Sequence, residues 1–306
     1  MTETVTRPSS LTPDSAAHPA LGFTDVLLFT MAVIWGINFV VVKYATHIFS
    51  PVAFTGLRVG TAAAFLLVVA FAGRRIAISR RDVIRLLLLG VLGNGLYQLF
   101  FIHGVARTRA GNAALIVGAA PAFIALVARA WGMERVKRMT LVGIGLSVIG
   151  VGLVIVGSAS SSSGETTLLG SLLVFLGVIC WTFYTIGLQP YTKRIDVLQL
   201  SAVTMVGGAV PLLIASAPAL ISTNWARIGM GGWLALFYSS VISMGVAYLF
   251  WYRGLRVLGA SRTSVYSNLQ PIVALLVAWA FLNETPTIFQ GVGAATIIAG
   301  VFLTRA

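Results

Sequence analysis

Long apolar stretches alternate with short charged or turn-rich segments along nearly the whole chain. Most of these stretches approach the length of about 20 residues that an α-helix needs to cross the hydrocarbon core of a bilayer. We therefore predict an all-α polytopic membrane protein. Its ten transmembrane helices are expected at about residues 24–46, 51–73, 82–106, 110–132, 139–157, 168–190, 197–218, 229–256, 260–283 and 286–304.

The composition supports a membrane protein and argues against a soluble one. Of the 306 residues, 58% are hydrophobic and 9% are charged, whereas soluble domains average about half apolar and about a quarter charged. The length is taken up by these helices and short loops, so no separate soluble domain is expected. Cys180 is the single cysteine, which excludes an intramolecular disulfide and a multi-cysteine metal site.

Basic residues fall mainly on one side of the predicted membrane. With a cytoplasmic N-terminus, sixteen Lys and Arg residues lie on the cytoplasmic side and four on the periplasmic side. This positive-inside bias predicts a multi-pass protein of the bacterial inner membrane with both termini in the cytoplasm. The polar, Pro- and Ser-rich residues 1–20 are expected to form a disordered cytoplasmic tail.

The second half of the chain repeats landmarks of the first half at an offset of 150 positions. The matched pairs are Gly104 with Gly254, Ala110 with Ala260, Pro121 with Pro271, Glu134 with Glu284, Gly143 with Gly293 and Gly150 with Gly300. Five helices per repeat is an odd number, so the second repeat must enter the membrane from the opposite side. We predict two inverted-topology repeats around a central cavity, an architecture typical of secondary transporters. The first is expected at 21–157, a periplasmic linker at 158–167, and the second at 168–306.

Three segments resemble motifs of a known family. They are WGINFVVVKY at 35–44, GLRVG at 56–60 and GASRTSVYSNLQPIVALLVAWAFLNETPT at 259–287. They resemble the drug/metabolite transporter superfamily in its ten-helix EamA form, over about residues 24–304. Within that family the sequence is most similar to YddG-like exporters of aromatic amino acids. The resemblance implies a cavity walled chiefly by helices 3, 4, 8 and 9, with helices 1, 2, 6 and 7 moving around it. It also implies export from cytoplasm to periplasm.

Polar and aromatic side chains recur at helical spacing inside the predicted spans. Amide groups in a membrane must find partners, so they are expected to face the bundle or a wet cavity. Aromatic rings combined with amides would suit a zwitterion that carries an aromatic or large apolar side chain. The alternative is that the rings form interfacial belts and the amides join helices. The predicted cavity residues are Trp35, Asn38, Asn94, Tyr97, Gln98, Phe101, Trp181, Tyr184, Ser243, Tyr248, Trp251, Tyr252, Tyr266 and Gln270.

Three of the basic side chains within or close to the ends of predicted spans are candidates for a specific role. Arg58 is expected to be structural, bonding helix-end carbonyls or loops, with contact to an anionic substrate as the alternative. Lys43 is expected to extend to the outer interface, with binding of a carboxylate as the alternative. His103 is either a neutral, hydrogen-bonded histidine near a helix end or a possible proton or substrate contact.

Proline and glycine landmarks suggest where the helices bend and where they pack. Pro121 and Pro271 each leave the carbonyl four residues earlier, on Val117 and Ser267, without its helical partner. We expect these prolines to act as hinges, with simple tolerated bends as the alternative. The paired glycines of helices 5 and 10 are seven residues apart and predict a small-residue packing seam within the monomer.

The acidic residues bear on the transport mechanism. All eight fall in tails, loops or span ends, whereas proton-driven transport commonly uses an intramembrane group whose charge change biases two conformations. We therefore expect export of small metabolites, above all aromatic and other neutral amino acids, by alternating access and facilitated diffusion. The alternatives are a proton-driven exporter of drugs or other metabolites, and a non-transporting receptor or assembly subunit.

Enzymatic activity is not expected from the motifs present. The sequence holds no P-loop, GxSxG or HExxH motif and no cluster of cysteine with histidine. No cofactor, metal or nucleic acid is expected as a ligand. The expected partners are a small-molecule substrate and the lipid bilayer. The protein is expected to be a monomer, with a dimer as the alternative.

Overall fold

The computed structural model describes residues 22–72, 78–133, 138–159 and 164–303, which form ten helices. The helices are α1 (Phe23–Ala45), α2 (Pro51–Phe71), α3 (Arg80–Arg107), α4 (Ala110–Ala130), α5 (Arg138–Ala159), α6 (Gly164–Thr192), α7 (Val197–Ile221), α8 (Met230–Val257), α9 (260–282) and α10 (Ile288–Leu303). The predicted all-α, ten-helix membrane fold is confirmed, with most helix ends shifted by a few residues.

Both ends of the expected linker at 158–167 are helical. α5 continues to Ala159 and α6 begins at Gly164. The polar Ser- and Thr-rich sequence suggested a loop because hydropathy marks the apolar part of a helix, whereas the hydrogen-bonded helix extends beyond it into polar residues. The expected tail at 1–20 lies outside the described residues, as do residues 160–163.

Eight of the helices in the described ranges are long and apolar enough to cross a bilayer. The other two are α5 and α10, whose apolar parts are Leu141–Gly157 and Ile288–Gly300. These two helices pack closely against each other. A Cβ atom on Gly150 would lie 2.9 Å from the carbonyl oxygen of Gly293, and one on Gly293 would lie 3.1 Å from that of Gly150. The predicted glycine seam within the monomer is therefore confirmed.

Helix contacts repeat between the two halves of the chain. α3 packs on α6 as α8 packs on α1, and α4 packs on α6 as α9 packs on α1. Two further contacts, α2 with α7 and α5 with α10, join a helix to its own counterpart. With five helices in each half, this pattern matches the predicted pair of inverted-topology repeats.

α3 and α8 each contain a π-helical segment at matching positions. The segments are Val91–Leu96 and Tyr238–Val246. The N–H of Tyr97 donates to the carbonyl five residues earlier, and the N–H of Ala247, 150 positions later, does the same. A π-helical turn interrupts the regular α-helical ladder and is frequent at functional sites. Both segments lie beside the central cavity described below.

α4 and α9 are interrupted near their prolines. α4 breaks at Ala119, and α9 passes through a 3₁₀ turn at Tyr266–Asn268. Pro121 and Pro271 follow these irregularities by two or three residues. A Cβ atom on Gly118 would lie 2.6 Å from Cγ of Pro271, so the two interrupted regions pack against each other.

Candidate functional site

A cavity lies at the centre of the bundle, where seven helices contribute side chains. The volume of this cavity is about 40 Å³, enough for about three water molecules. The lining residues come from α1, α2, α3, α4, α6, α8 and α9. They are Trp35, Asn38, Phe39, Arg58, Tyr97, Gln98, Phe101, Val117, Ala120, Trp181, Ser243, Met244, Tyr248, Ser267 and Gln270.

One side of the cavity is an aromatic cluster. The ring centroids of Trp35 and Trp181 are 5.8 Å apart in a T-shaped arrangement, and Tyr97 lies 5.2 Å from Trp181. Tyr248 completes the cluster at 5.5 Å from Trp35. Trp35 Nε1 donates to the backbone carbonyl of Ser243, 3.0 Å away within the π-helical segment of α8. This bond fixes the orientation of the indole in the cavity wall.

The other side of the cavity is a hydrogen-bonded chain centred on Arg58. Arg58 Nη1 donates to Ser239 Oγ at 3.0 Å, and Nη2 donates to Gln98 Oε1. Gln98 Nε2 in turn donates to the hydroxyl of Tyr248 at 3.2 Å. The guanidinium carbon lies 5.5 Å from the ring centroid of Phe101. The expectation that Arg58 bonds helix-end carbonyls or loops is wrong, because its partners are side chains in the middle of α3 and α8.

Lys43 has the structural role that the sequence suggested for Arg58. Its Nζ donates to the backbone carbonyls of Val105, Ala106 and Thr108 at 3.0, 3.1 and 2.8 Å. These carbonyls lie at the C-terminal end of α3, where the last carbonyls lack helical partners and attract a cation. Lys43 therefore joins α1 to the end of α3.

Nine of the fourteen residues predicted to form a cavity line this one. They are Trp35, Asn38, Tyr97, Gln98, Phe101, Trp181, Ser243, Tyr248 and Gln270.

Three of the other predicted residues form a separate buried network next to the cavity. Asn94 Nδ2 donates to the hydroxyl of Tyr184 at 3.1 Å, and this hydroxyl is hydrogen-bonded to that of Tyr252. The Tyr252 hydroxyl also lies 3.3 Å from Thr204 Oγ1. These polar groups use one another as partners and so join α3, α6, α7 and α8, which leaves them out of the cavity wall.

The last two predicted residues lie elsewhere for different reasons. Trp251 is fully buried behind the aromatic cluster, with its ring 5.6 Å from Trp35 and 5.5 Å from Trp181. Tyr266 donates its hydroxyl hydrogen bond to the carboxylate of Asp25, which joins the first turn of α1 to α9. Trp251 thus supports the cavity wall from outside, and Tyr266 contacts a helix end.

Several lining residues were not predicted from the sequence. Phe39, Ala120 and Met244 are ordinary apolar residues of membrane helices, and nothing in the sequence separates them from residues that face lipid. Val117 and Ser267 did have a signal, because each lies four residues before a proline. The prolines themselves do not line the cavity. Whether they act as hinges stays a prediction.

His103 lies away from the cavity, near the end of α3. Its Nδ1 is 3.0 Å from Nη1 of Arg107, and the same Nη1 donates to the backbone carbonyl of His103 at 3.1 Å. This geometry matches the helix-end alternative better than a substrate contact.

Charge in the cavity is positive and has no acidic counterpart among the described residues. Four acidic side chains form hydrogen bonds elsewhere in the described part of the chain, at helix ends or in loops. They are Asp25, Asp82, Asp196 and Glu284. No carboxylate lines the cavity. Across the described ranges, no group of His, Cys, Asp or Glu is arranged to hold a metal ion.

The sequence of both halves of the chain matches a known family of membrane transporters. Residues 22–156 and 168–306 match the EamA-like transporter family. The chain belongs to the EamA-like transporter family. The protein is therefore a multi-pass membrane transporter, and the resemblance of its motifs to the EamA form is confirmed.

Relatives of this EamA-like transporter cover nearly its whole length. The uncharacterized transporter YyaM of Bacillus subtilis (strain 168) is 32% identical over 279 residues, 90% of this chain and 91% of the relative. A protein named as a probable amino-acid metabolite efflux pump in Salmonella typhimurium (strain LT2) is 28% identical over 292 residues, 92% of this chain and 93% of that protein. A solved structure titled only "Crystal structure of protein" matches with a TM-score of 0.68 at 18% identity, covering 92% of this chain and 97% of that one. This last likeness shows a shared fold.

Proposed function

We propose that this transporter exports aromatic and other neutral amino acids, with related small metabolites, from the cytoplasm by alternating access. The observation that carries the proposal is the mixed lining of the cavity. Aromatic rings of Trp35, Trp181 and Tyr97 lie in the same wall as the polar groups of Arg58 and Gln98. An amino acid with an apolar side chain likewise combines an apolar group with charged groups. The name of the Salmonella relative supports the same substrate class.

The size of the cavity indicates a contracted state of the transport cycle. About 40 Å³ of space for water centres holds about three waters and is too small for an amino acid. The walls must therefore separate before substrate enters. The π-helical segments of α3 and α8 and the interruptions of α4 and α9 supply irregular backbone in both repeats. We infer that these are the places where the walls move, with Pro121 and Pro271 as hinges.

We propose facilitated diffusion as the mechanism. A proton-coupled carrier needs a group whose protonation shifts the balance between its conformations. Among the described residues no carboxylate lines the cavity, and His103 lies outside it. Substrate then moves down its own gradient. The positive-inside bias supports cytoplasmic termini and an inner-membrane location. Export then lowers the cytoplasmic concentration of a substrate that has accumulated there.

Flux into liposomes tests this proposal. Purified protein should equilibrate labelled phenylalanine, tryptophan and threonine across the vesicle membrane faster than protein-free vesicles do. Internal concentration should stop at the external one, with or without an imposed pH gradient. Absence of flux for a broad amino-acid panel would contradict the substrate class. Uphill accumulation driven by the pH gradient would contradict facilitated diffusion and support the proton-driven alternative.

A further inference from the structure

Resting on the proposed function, we propose that Arg58 binds the α-carboxylate of the substrate and Asn38 accepts a hydrogen bond from its ammonium group. The cavity would then select zwitterionic amino acids over amines that lack a carboxylate and over acids that lack an amino group. While the cavity holds no substrate, Gln98 accepts a hydrogen bond from Arg58.

The argument begins with the uncompensated charge of Arg58. The residue is 1% exposed, and its two hydrogen-bond acceptors in the described part of the chain, Ser239 Oγ and Gln98 Oε1, are both neutral. Removing a cation from water is costly unless an anion compensates it. A substrate carboxylate supplies that anion, and its release restores the neutral arrangement.

Unused hydrogen-bond donors on Arg58 point to the same ligand. A guanidinium has five N–H donors, and the described contacts of Arg58 use one on each Nη. Its Nε is buried without a hydrogen-bond partner. The Nε–H together with an adjacent Nη–H forms the parallel pair of donors that a carboxylate accepts in a bidentate contact.

Asn38 offers the complementary group on the facing helix α1. The residue is 7% exposed and lines the cavity, and its Oδ1 is buried without a hydrogen-bond partner. An ammonium group has donors only, so it would satisfy this acceptor. Trp35 lies three residues earlier and therefore on the same face of α1. Its ring adds a cation–π attraction for the same ammonium.

Variants of Gln98 separate carboxylate binding by Arg58 from a purely structural role. A structural role predicts that Gln98→Glu has a smaller effect than Gln98→Leu, whereas carboxylate binding predicts the reverse. Gln98→Glu keeps the size of the side chain and retains acceptors for Arg58 and Tyr248. It would preserve or strengthen a structural bond between α2 and α3. A resident carboxylate would, however, compensate the charge of Arg58 and repel the carboxylate of a substrate. Gln98→Leu removes the bond to Arg58 without adding an anion, so it should disturb a structural connection and leave a carboxylate subsite open.

The experiment compares three probes that share one ring system. Phenylalanine carries both groups, 3-phenylpropionate lacks the ammonium, and phenethylamine lacks the carboxylate. Affinity is measured for purified protein in detergent by ligand-induced thermal shift, and flux is measured in liposomes. For Gln98→Glu we expect affinity for phenylalanine and 3-phenylpropionate to fall about tenfold or more, and affinity for phenethylamine to be kept. Gln98→Leu should lose less affinity for 3-phenylpropionate than Gln98→Glu does.

Asn38→Leu, of similar volume, provides the reciprocal variant. It should lower affinity for phenylalanine and phenethylamine about tenfold and leave that for 3-phenylpropionate unchanged. The proposal is overturned if Gln98→Glu binds 3-phenylpropionate as the wild type does, if all variants weaken the three probes equally, or if the wild type binds none of them. The expected binding pattern without any wild-type flux would contradict transport of these amino acids and leave the site assignment standing. Wild-type flux without the expected binding pattern would support transport of these amino acids and contradict the site assignment.

Discussion

α3 and α8 share a backbone shape and differ in chemistry. Each has a π-helical segment at the same place in its repeat, but Gln98 on α3 corresponds to Tyr248 on α8, and Phe101 corresponds to Trp251. Arg58 bonds both helices, through Gln98 on α3 and Ser239 on α8. At the position of Gln98, however, α8 carries Tyr248, whose ring packs on the indole of Trp35. The two halves thus share a backbone irregularity and differ in the groups that line the cavity.

The first test of this comparison concerns how each helix packs. A Cβ atom on Gly90 would overlap the backbone carbonyl of Thr204 on α7, whereas the matching residue of α8, Ser240, bonds only carbonyls of its own helix, including Leu236 O at 2.7 Å. Gly90→Ala should therefore lower the free energy of unfolding by about 3 kcal/mol through overpacking. Ser240→Ala should lower it by less than about 1 kcal/mol.

Unfolding of the two variants in detergent, followed by heat or denaturant, gives this difference directly. Similar losses of stability in both would show that α3 and α8 pack alike, and the proposed asymmetry of the repeats would not extend to their packing.

The second test removes the aromatic side and leaves the polar side intact. Trp181 touches the rings of Trp35, Tyr97 and Tyr248 in the cavity wall. Trp181→Ala should lower phenylalanine affinity and flux by about tenfold or more, because a buried aromatic contact is lost. Phe183 is two residues away, lies outside the cavity wall and is 39% exposed. Phe183→Ala serves as the control and should change flux by no more than about twofold.

A large effect of Trp181→Ala on threonine as well as on phenylalanine would argue against side-chain recognition by the aromatic cluster. Equal effects of Trp181→Ala and Phe183→Ala would show that the aromatic cluster does not contact the substrate.

The third test concerns a difference between α3 and α8 that lies outside the cavity, and its expected effect on flux is the smallest. His103 on α3 corresponds to Arg253 on α8, whose guanidinium lies 5.5 Å from the ring centroid of Phe23. His103→Gln should leave flux within about twofold of the wild type, and the dependence of flux on pH should not change. We expect this because His103 contacts Arg107 and not the cavity. A pH dependence that disappears in this variant would identify His103 as a proton carrier.

Much of the fold follows from the sequence because a bilayer imposes simple rules. Apolar length predicts the spans, and the matched landmarks such as Pro121 and Pro271 predict two inverted halves. The π-helical segments Val91–Leu96 and Tyr238–Val246 were missed. They contain weak helix formers such as Gly93 and Gly95, but glycine is also frequent in regular transmembrane helices. The extra residue per turn is a property of the backbone in its packed surroundings.

The cavity was harder to predict, because a buried polar group only has to find a partner. Asn94 donates a hydrogen bond to Tyr184 away from the cavity, while Asn38 lies in the cavity wall, and each amide keeps a buried oxygen without a hydrogen-bond partner. The sequence holds the same kinds of residue in both cases. Arg58 is bonded to residues 40 and 181 positions away, which no local pattern reveals. Tertiary packing decides which amides and tyrosines become cavity wall.

A structure determined with bound phenylalanine tests the central claim most directly. We predict that the ligand lies in this cavity, widened from its present volume. Its carboxylate should lie about 3 Å from Arg58, its ammonium near Asn38, and its ring against Trp181. Phenylalanine bound elsewhere, for example in the apolar crevice formed by Leu115, Pro271 and Ile297, with Arg58 still bonded to Gln98, would contradict the account.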